Sequence, residues 1–314
     1  MTDATQPAAN ATGAPDTQPS PTVAFLGLGA MGRPMAANLA GRWPTIVWNR
    51  TSSVATAHAA AHGSHAVEDL AEVAAARADV VCTCLPTDAE VAALAAVLGP
   101  QLAAGTVWID HTSGDPAGAR DVAAVLASYD VGYLDAPVSG GTDGAARGAL
   151  TVMVGGDVDD LDVVMPVLDT VSARVVHVGG VGAGMAVKAV NNALLATSLW
   201  AAAEGLTALA AQGVMPEAAL EVIASSSGRS FATQTLIPER VLDRSFPHTF
   251  ALALLAKDVR LAGSVLAGAG VDGPVLALVE RLTNAAAEEL PEADHVELVR
   301  LLERAVGVEL SSLQ

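Results

Sequence analysis

Within Gly184-Met185-Ala186-Val187-Lys188-Ala189-Val190-Asn191-Asn192, a lysine and an asparagine stand four residues apart in an otherwise apolar stretch. On a helix that spacing puts Lys188 and Asn192 on one face. Desolvation there penalises the charged amine and moves its pKa down toward neutrality. A lysine titrating near the working pH is suited to giving or taking a proton. From position alone, a lysine that snorkels from a helix start into water is an equal reading.

A second constellation lies at Gly27-Leu28-Gly29-Ala30-Met31-Gly32, a G-x-G-x-x-G turn. It follows an apolar run of strand length, Val23 to Leu26, and precedes a helical pattern through Met31, Met35, Asn38 and Leu39. In a strand–turn–helix setting this spacing binds a dinucleotide. Gly27 permits the tight bend, Gly29 lets the backbone approach a pyrophosphate, and Gly32 packs helix on strand. The phosphates then meet free N–H groups at the positive end of the helix. The next strand, Thr45 to Trp48, ends at Asn49-Arg50-Thr51. An NAD site usually carries an acidic residue there for the ribose 2′-OH. Arg50 instead offers a planar fork to a 2′-phosphate, and Thr51 a hydroxyl. NADP(H) is therefore expected over NAD(H), with NAD possible.

These residues require a scaffold, and the chain has material for one. Its 314 residues suggest two domains, and its 52% apolar composition supplies a large core. Alternating strand and helix patterns run to about Val178, and from Ala183 onward only Ala/Leu-rich helical patterns remain. The expected class is α/β: a Rossmann-type, doubly wound dinucleotide-binding domain over 22–180, then an all-helical substrate and oligomerisation domain over 181–314. Helices are expected at roughly 183–212, 216–226, 231–244, 250–269, 274–289 and 294–305. Residues 1–21 are Ala/Thr/Pro/Gln-rich and aperiodic, without the features of a secretory or mitochondrial leader, so a disordered tail is expected.

Composition also excludes partners. A net charge of −18 repels nucleic acid and anionic membranes. The apolar stretch from Ala183 contains Lys188, Asn191 and Asn192 and reads as a buried helix, so no membrane span is expected. Cys82 and Cys84 point to one face of a strand, where core packing suits them better than a disulfide. Scarce cysteine accords with a cytoplasmic protein. His58, His62 and His65 lack the glutamate of a zincin helix and read as surface histidines. Asp157, Asp159 and Asp160 read as favourable charge at a helix start. No metal site is expected. Small apolar helix faces suggest a homodimer or homotetramer.

Four segments together resemble the 3-hydroxyisobutyrate dehydrogenase family of β-hydroxyacid dehydrogenases. They are Phe25 to Gly32 with Met35, Asn38 and Leu39; Asp135-Ala136-Pro137-Val138-Ser139-Gly140-Gly141; Gly184 to Asn192; and Phe250 with Lys257-Asp258. The resemblance implies that Lys188 is the catalytic lysine and that Asn192 helps hold substrate and lysine. It implies a substrate-carboxylate pocket at Ser139, Gly140 and Gly141, whose small residues expose N–H donors. It places Ser113 beside the nicotinamide ribose, Leu85 and Pro86 over the adenosine side, and Lys257 on the cofactor. Asp258 and Phe250 would line the substrate. Two departures stand out: Thr112-Ser113 inverts the usual Ser-Thr pair, and Asn49 replaces the aspartate of many NAD users.

The activity implied is reversible hydride transfer between NADP(H) and a short 3-hydroxy acid or its semialdehyde, a small carboxylate. Imine reductases share the glycine turn and Asn-Arg-Thr but usually lack the lysine and the Ser-Gly-Gly pocket. A non-catalytic NADP-binding sensor would not need Lys188, Asn192 and Ser139.

Overall fold

The computed structural model describes residues 20–312. The tail expected at 1–21 therefore lies outside the described residues, save Ser20 and Pro21. The first half alternates β1 (Val23–Leu26), α1 (Gly32–Ala40), β2 (Thr45–Trp48), α2 (Ser52–His62), β3 (His65–Ala66), α3 (Leu70–Ala75), β4 (Val80–Thr83) and α4 (Asp88–Leu98). It continues through β5 (Val107–Asp110), α5 (Pro116–Ala127), β6 (Gly132–Asp135), β7 (Val138–Ser139), α6 (Gly141–Ala146), β8 (Leu150–Gly155), α7 (Val158–Val171) and β9 (Ser172–Gly179).

The sheet order is β3-β2-β1-β4-β5-β6-β8-β7, with β9 also on β8. The strands from β3 to β6 are parallel, and β8 runs antiparallel to β6 and β7. Central parallel strands are covered on both faces, which is why they read as unbroken apolar runs. Alternation splits them: Val23 and Phe25 join the core under α1 and α7, whereas Ala24 and Leu26 join the core under α3, α4 and α5. The order reverses between β1 and β4, the switch point where such sheets bind ligands.

Beyond Gly179 the described chain is helical: α8 (Ala183–Ala211), α9 (Pro216–Ser225), a π-helix (Ala232–Val241), α10 (Leu252–Gly268), α11 (Pro274–Glu289), a 3₁₀ turn (His295–Leu298) and α12 (Val299–Val306). They enclose a third core around Leu199, Trp200, Leu236 and Leu255. Trp200 donates to Thr283 Oγ1 at 3.0 Å inside it. Helix α8 is long and apolar enough to cross a bilayer, but its N-terminal part packs on β8 and α5 and the rest on α9 to α12.

Some expectations need correction. The helix expected at 231–244 is a π-helix with Pro238 inside. Pro238 has no N–H for an α-helical ladder, and Leu242 donates to Ile237, five residues back. His58 is not a surface residue. It is buried between Ser64 Oγ at 2.8 Å and the Arg33 carbonyl at 3.2 Å, and burial lowers its pKa. Strands β3 and β7 and helix α6, two to six residues long, fall below what periodicity resolves.

Candidate active site

The glycine turn lies at the carboxyl end of β1. Gly27 has φ +101°, and a Cβ there would strike the Cys84 carbonyl and Leu85. A Cβ on Gly32 would overlap the Gly27 carbonyl, so helix and strand touch there. Gly29 has no neighbour within 4 Å of where a Cβ would lie. The N–H groups of Ala30 and Met31 meet no protein acceptor among the described residues. An open backbone with free donors at a helix start fits a pyrophosphate. The Leu28 N–H donates to Asn49 Oδ1 at 3.0 Å, and Asn49 Nδ2 to the Thr51 carbonyl at 3.2 Å. Arg50 is exposed and paired with Glu90 at 3.0 Å.

Across the switch point, β4 and β5 end in a buried polar network. Trp108 Nε1 donates to Thr83 Oγ1 at 3.0 Å, and that hydroxyl donates to Asp110 Oδ1 at 2.8 Å. The Thr112 N–H also reaches Oδ1, and Tyr133 donates to Oδ2. Thr112 Oγ1 then accepts from the Leu85 N–H at 3.1 Å, linking the two turns that follow β4 and β5. His111 is buried on the Ala136 carbonyl, and burial pushes it down to about 4, so it is neutral near pH 7.

Burial outweighs these donors and pushes Asp110 up to about 6. An unfolded aspartate titrates near about 3.9, so the folded state holds the proton more tightly. That stabilisation is full below about pH 4 and is lost as pH rises through about 6. Asp110→Asn can keep the acceptor for Thr83 and Thr112 and donate to Tyr133. It is expected to flatten the fall in unfolding free energy between about pH 4 and 6, measured by urea titration across that range.

Helix α8 starts against this sheet. Asp135, wholly buried at the end of β6, accepts from the Gly182 N–H at 2.7 Å and the Met185 N–H at 2.8 Å. Its carboxylate thus satisfies two otherwise unpaired groups at the helix N-terminus. A Cβ on Gly184 would strike the Met153 and Asp135 carbonyls, so glycine sets the close approach.

One turn further along, Lys188 is half-buried and its amine makes no hydrogen bond to the protein among the described residues. Burial lowers its pKa, Asp258 opposes that, and Lys257 adds to it. Asn192 is buried and donates to Asp258 Oδ2 at 2.6 Å. Asp258 Oδ1 is buried without a hydrogen-bond partner, 3.6 Å from Lys257 Nζ. Burial raises Asp258, against the pull of Lys257, Asn192 and Lys188. Lys257 Nζ reaches across the cleft to the Ser113 carbonyl at 2.6 Å. Asp88 faces the same turn: it accepts from the Asp115 N–H at 2.8 Å and leaves Oδ1 buried and unpaired. An amine of lowered pKa, an amide and a carboxylate thus converge where one unit meets the other. That set can move a proton at a bound oxygen.

The structure brings Lys188, Asn192, Lys257, Asp258 and Ser113 together, although Ser113 offers its carbonyl to Lys257 rather than only a hydroxyl. Ser139 lies on β7 opposite Thr151, and Gly140 and Gly141, at φ +137° and +65°, start α6. Leu85 is half-buried, whereas Pro86 and Thr51 are exposed. Phe250 donates its N–H to Asp294, and its ring meets His295 at 5.5 Å. Sequence reasoning gave no role to Asp88, Asp110, Asp135 or Asp294. Acidic residues closing the apolar strands β5 and β6 were the available signal for Asp110 and Asp135.

Comparison with known proteins adds to this geometry. Residues 22–180 match the family model described as the NAD binding domain of 6-phosphogluconate dehydrogenase. Residues 182–302 match that described as the NAD-binding of NADP-dependent 3-hydroxyisobutyrate dehydrogenase. The chain is 36% identical to 2-(hydroxymethyl)glutarate dehydrogenase of Eubacterium barkeri, over 93% of this chain and 98% of that one. It is 37% identical to a probable 3-hydroxyisobutyrate dehydrogenase of Mycobacterium tuberculosis, over 81% and 88% of the two chains. The solved M. tuberculosis 3-hydroxyisobutyrate dehydrogenase with L-serine superposes with a TM-score of 0.85 at 33% identity, covering 90% of this chain and 99% of that one.

Proposed function

The chain belongs to the 3-hydroxyisobutyrate dehydrogenase family of NAD(P)-dependent β-hydroxyacid oxidoreductases, and from this premise we propose that it interconverts a short 3-hydroxy acid and its semialdehyde, with NADP(H) preferred. The observation that carries this reading is Lys188 beside Asn192 and Asp258, its pKa lowered by burial, at the junction of the two units. In this reading residues 22–180 hold the nucleotide, and residues 181–314 supply the proton-handling groups.

Bound nicotinamide supplies or accepts the hydride. Gly29, Ala30 and Met31 would hold its pyrophosphate, Arg50 and Thr51 the adenosine side, and Ser113 with Lys257 the nicotinamide side. Lys188 Nζ gives a proton to the substrate oxygen during reduction and takes it back during oxidation. Asn192, fixed by Asp258, orients the substrate against that amine. Ser139 with the Gly140 and Gly141 backbone receives the carboxylate. This division of labour favours a carboxylate-bearing aldehyde over a neutral imine. The protein is further proposed to work in the cytoplasm as a homo-oligomer, in line with apolar residues such as Leu194, Val222 and Val275 left exposed on the helical unit.

The test is an NADPH-oxidation screen over small semialdehydes, glyoxylate and cyclic imines. Turnover of carboxylate-bearing aldehydes is expected, and turnover confined to imines would reject the proposal. The lysine also sets a pH dependence. Oxidation needs the unprotonated amine, so its rate is expected to rise with pH through a limb below the usual lysine range, about 10.4. A pH–rate profile of hydroxy-acid oxidation checks it; a limb at or above that value would count against Lys188.

A further inference from the structure

Arg50 does not stand free at the end of β2. Its Nη1 lies 3.0 Å from Glu90 Oε1, and its side chain is 83% exposed against 33% for Glu90. Glu90 belongs to the first turn of α4, whereas Arg50 lies in the turn after β2. Its second oxygen, Oε2, accepts from the Thr87 N–H and the Thr87 hydroxyl, each at 3.2 Å. The carboxylate is therefore held in place by the cap of α4 while it faces the guanidinium. It ties the Asn49-Arg50-Thr51 turn to the Leu85-Pro86-Thr87 turn, the two segments assigned above to the adenosine side.

We infer that Glu90 restrains the preference of this enzyme for the 2′-phosphorylated dinucleotide by competing for the Arg50 guanidinium. The inference rests on the reading that Arg50 receives the 2′-phosphate. Part of the donor fork is occupied before the nucleotide arrives. A dianionic phosphate that takes Arg50 must displace the carboxylate or accept a fixed negative charge within a Debye length. A nucleotide with a free 2′-hydroxyl meets neither obstacle. Glu90 thus acts on the difference between the two cofactors rather than on nucleotide binding in general. Its hold on Thr87 limits how far it can withdraw, because moving away also breaks the cap.

The experiment is a fluorescence titration of the purified protein with NADPH and with NADH, giving both dissociation constants without turnover, for the wild type, Glu90→Gln and Arg50→Gln. Glutamine keeps an oxygen for Thr87 and removes the charge; an unchanged thermal midpoint will show that the α4 cap is intact. Glu90→Gln is expected to tighten NADPH about three- to tenfold relative to NADH, as loss of one charge near a phosphate at the surface predicts. Arg50→Gln is expected to weaken NADPH on the order of tenfold and leave NADH little changed. If Arg50→Gln leaves the ratio unaltered, the 2′-phosphate reading fails and the inference with it. If Arg50→Gln lowers the ratio but Glu90→Gln leaves it within about twofold, or lowers it, Glu90 is no restraint and only this inference is overturned.

Discussion

Lys188→Ala is expected to reduce kcat roughly 10²- to 10⁴-fold, the range for loss of a general acid–base group. The dissociation constant for NADPH should change little, because the glycine turn and Arg50 lie on the other unit. The Lys188 amine makes no hydrogen bond to the protein among the described residues, so truncation orphans no hydrogen-bond partner. Folding should survive it, and stopped-flow turnover with separate cofactor titration will separate the two effects. Lys188→Arg should fare little better than alanine. A guanidinium keeps its proton across the accessible pH range and cannot take one from an alcohol. Near-normal kcat in either variant would remove Lys188 from the chemistry.

Asp135→Ala is expected to give the largest loss of stability. It leaves the Gly182 and Met185 N–H groups without acceptors in a fully buried place. Two orphaned donors cost about 2–6 kcal/mol together. Burial pushes Asp135 up to about 6, so at neutral pH ionisation already opposes folding and the net loss will lie toward the lower end. Asp135→Asn retains one acceptor oxygen and should fall between the two. Because α8 carries Lys188, kcat should drop with stability, and the drop should persist well below the melting temperature. Chemical denaturation and single-turnover rates at 15 °C below the midpoint measure both; wild-type stability in Asp135→Ala would refute the anchor.

The architecture was legible where local and global signals agree. β1, its glycine turn and α1 each carry a distinct pattern, and the helix starts at Asp88, Pro216 and Pro274 follow from capping and proline chemistry. The reach of Lys257 to Ser113 was not legible from spacing, since 144 positions separate them. Nor was the Asn192–Asp258 contact, which needs α8 and α10 packed in register. His58 misled because alanines around it look like a surface helix, while its ring is satisfied by Ser64 and Arg33. The π-helix was hidden because Pro238 has two outcomes, a kink or a widened turn, and packing chooses between them. Arg50 could be read as a phosphate ligand from its place after β2, but its existing partner Glu90 lies 40 positions away.

The start of α8 is anchored independently of the rest of the helical unit. Asp135 holds the N–H groups of Gly182 and Met185, so the start of the helix is fixed to the end of β6 by two short hydrogen bonds. A second tie between the units is the reach of Lys257 on α10 to the Ser113 carbonyl. Two carboxylate bonds hold the helix start, and one amine-to-carbonyl bond holds α10 to the turn after β5. Separating α10 from the turn after β5 must therefore break the Lys257–Ser113 bond, whereas the root of the Lys188 helix keeps its own attachment at Asp135.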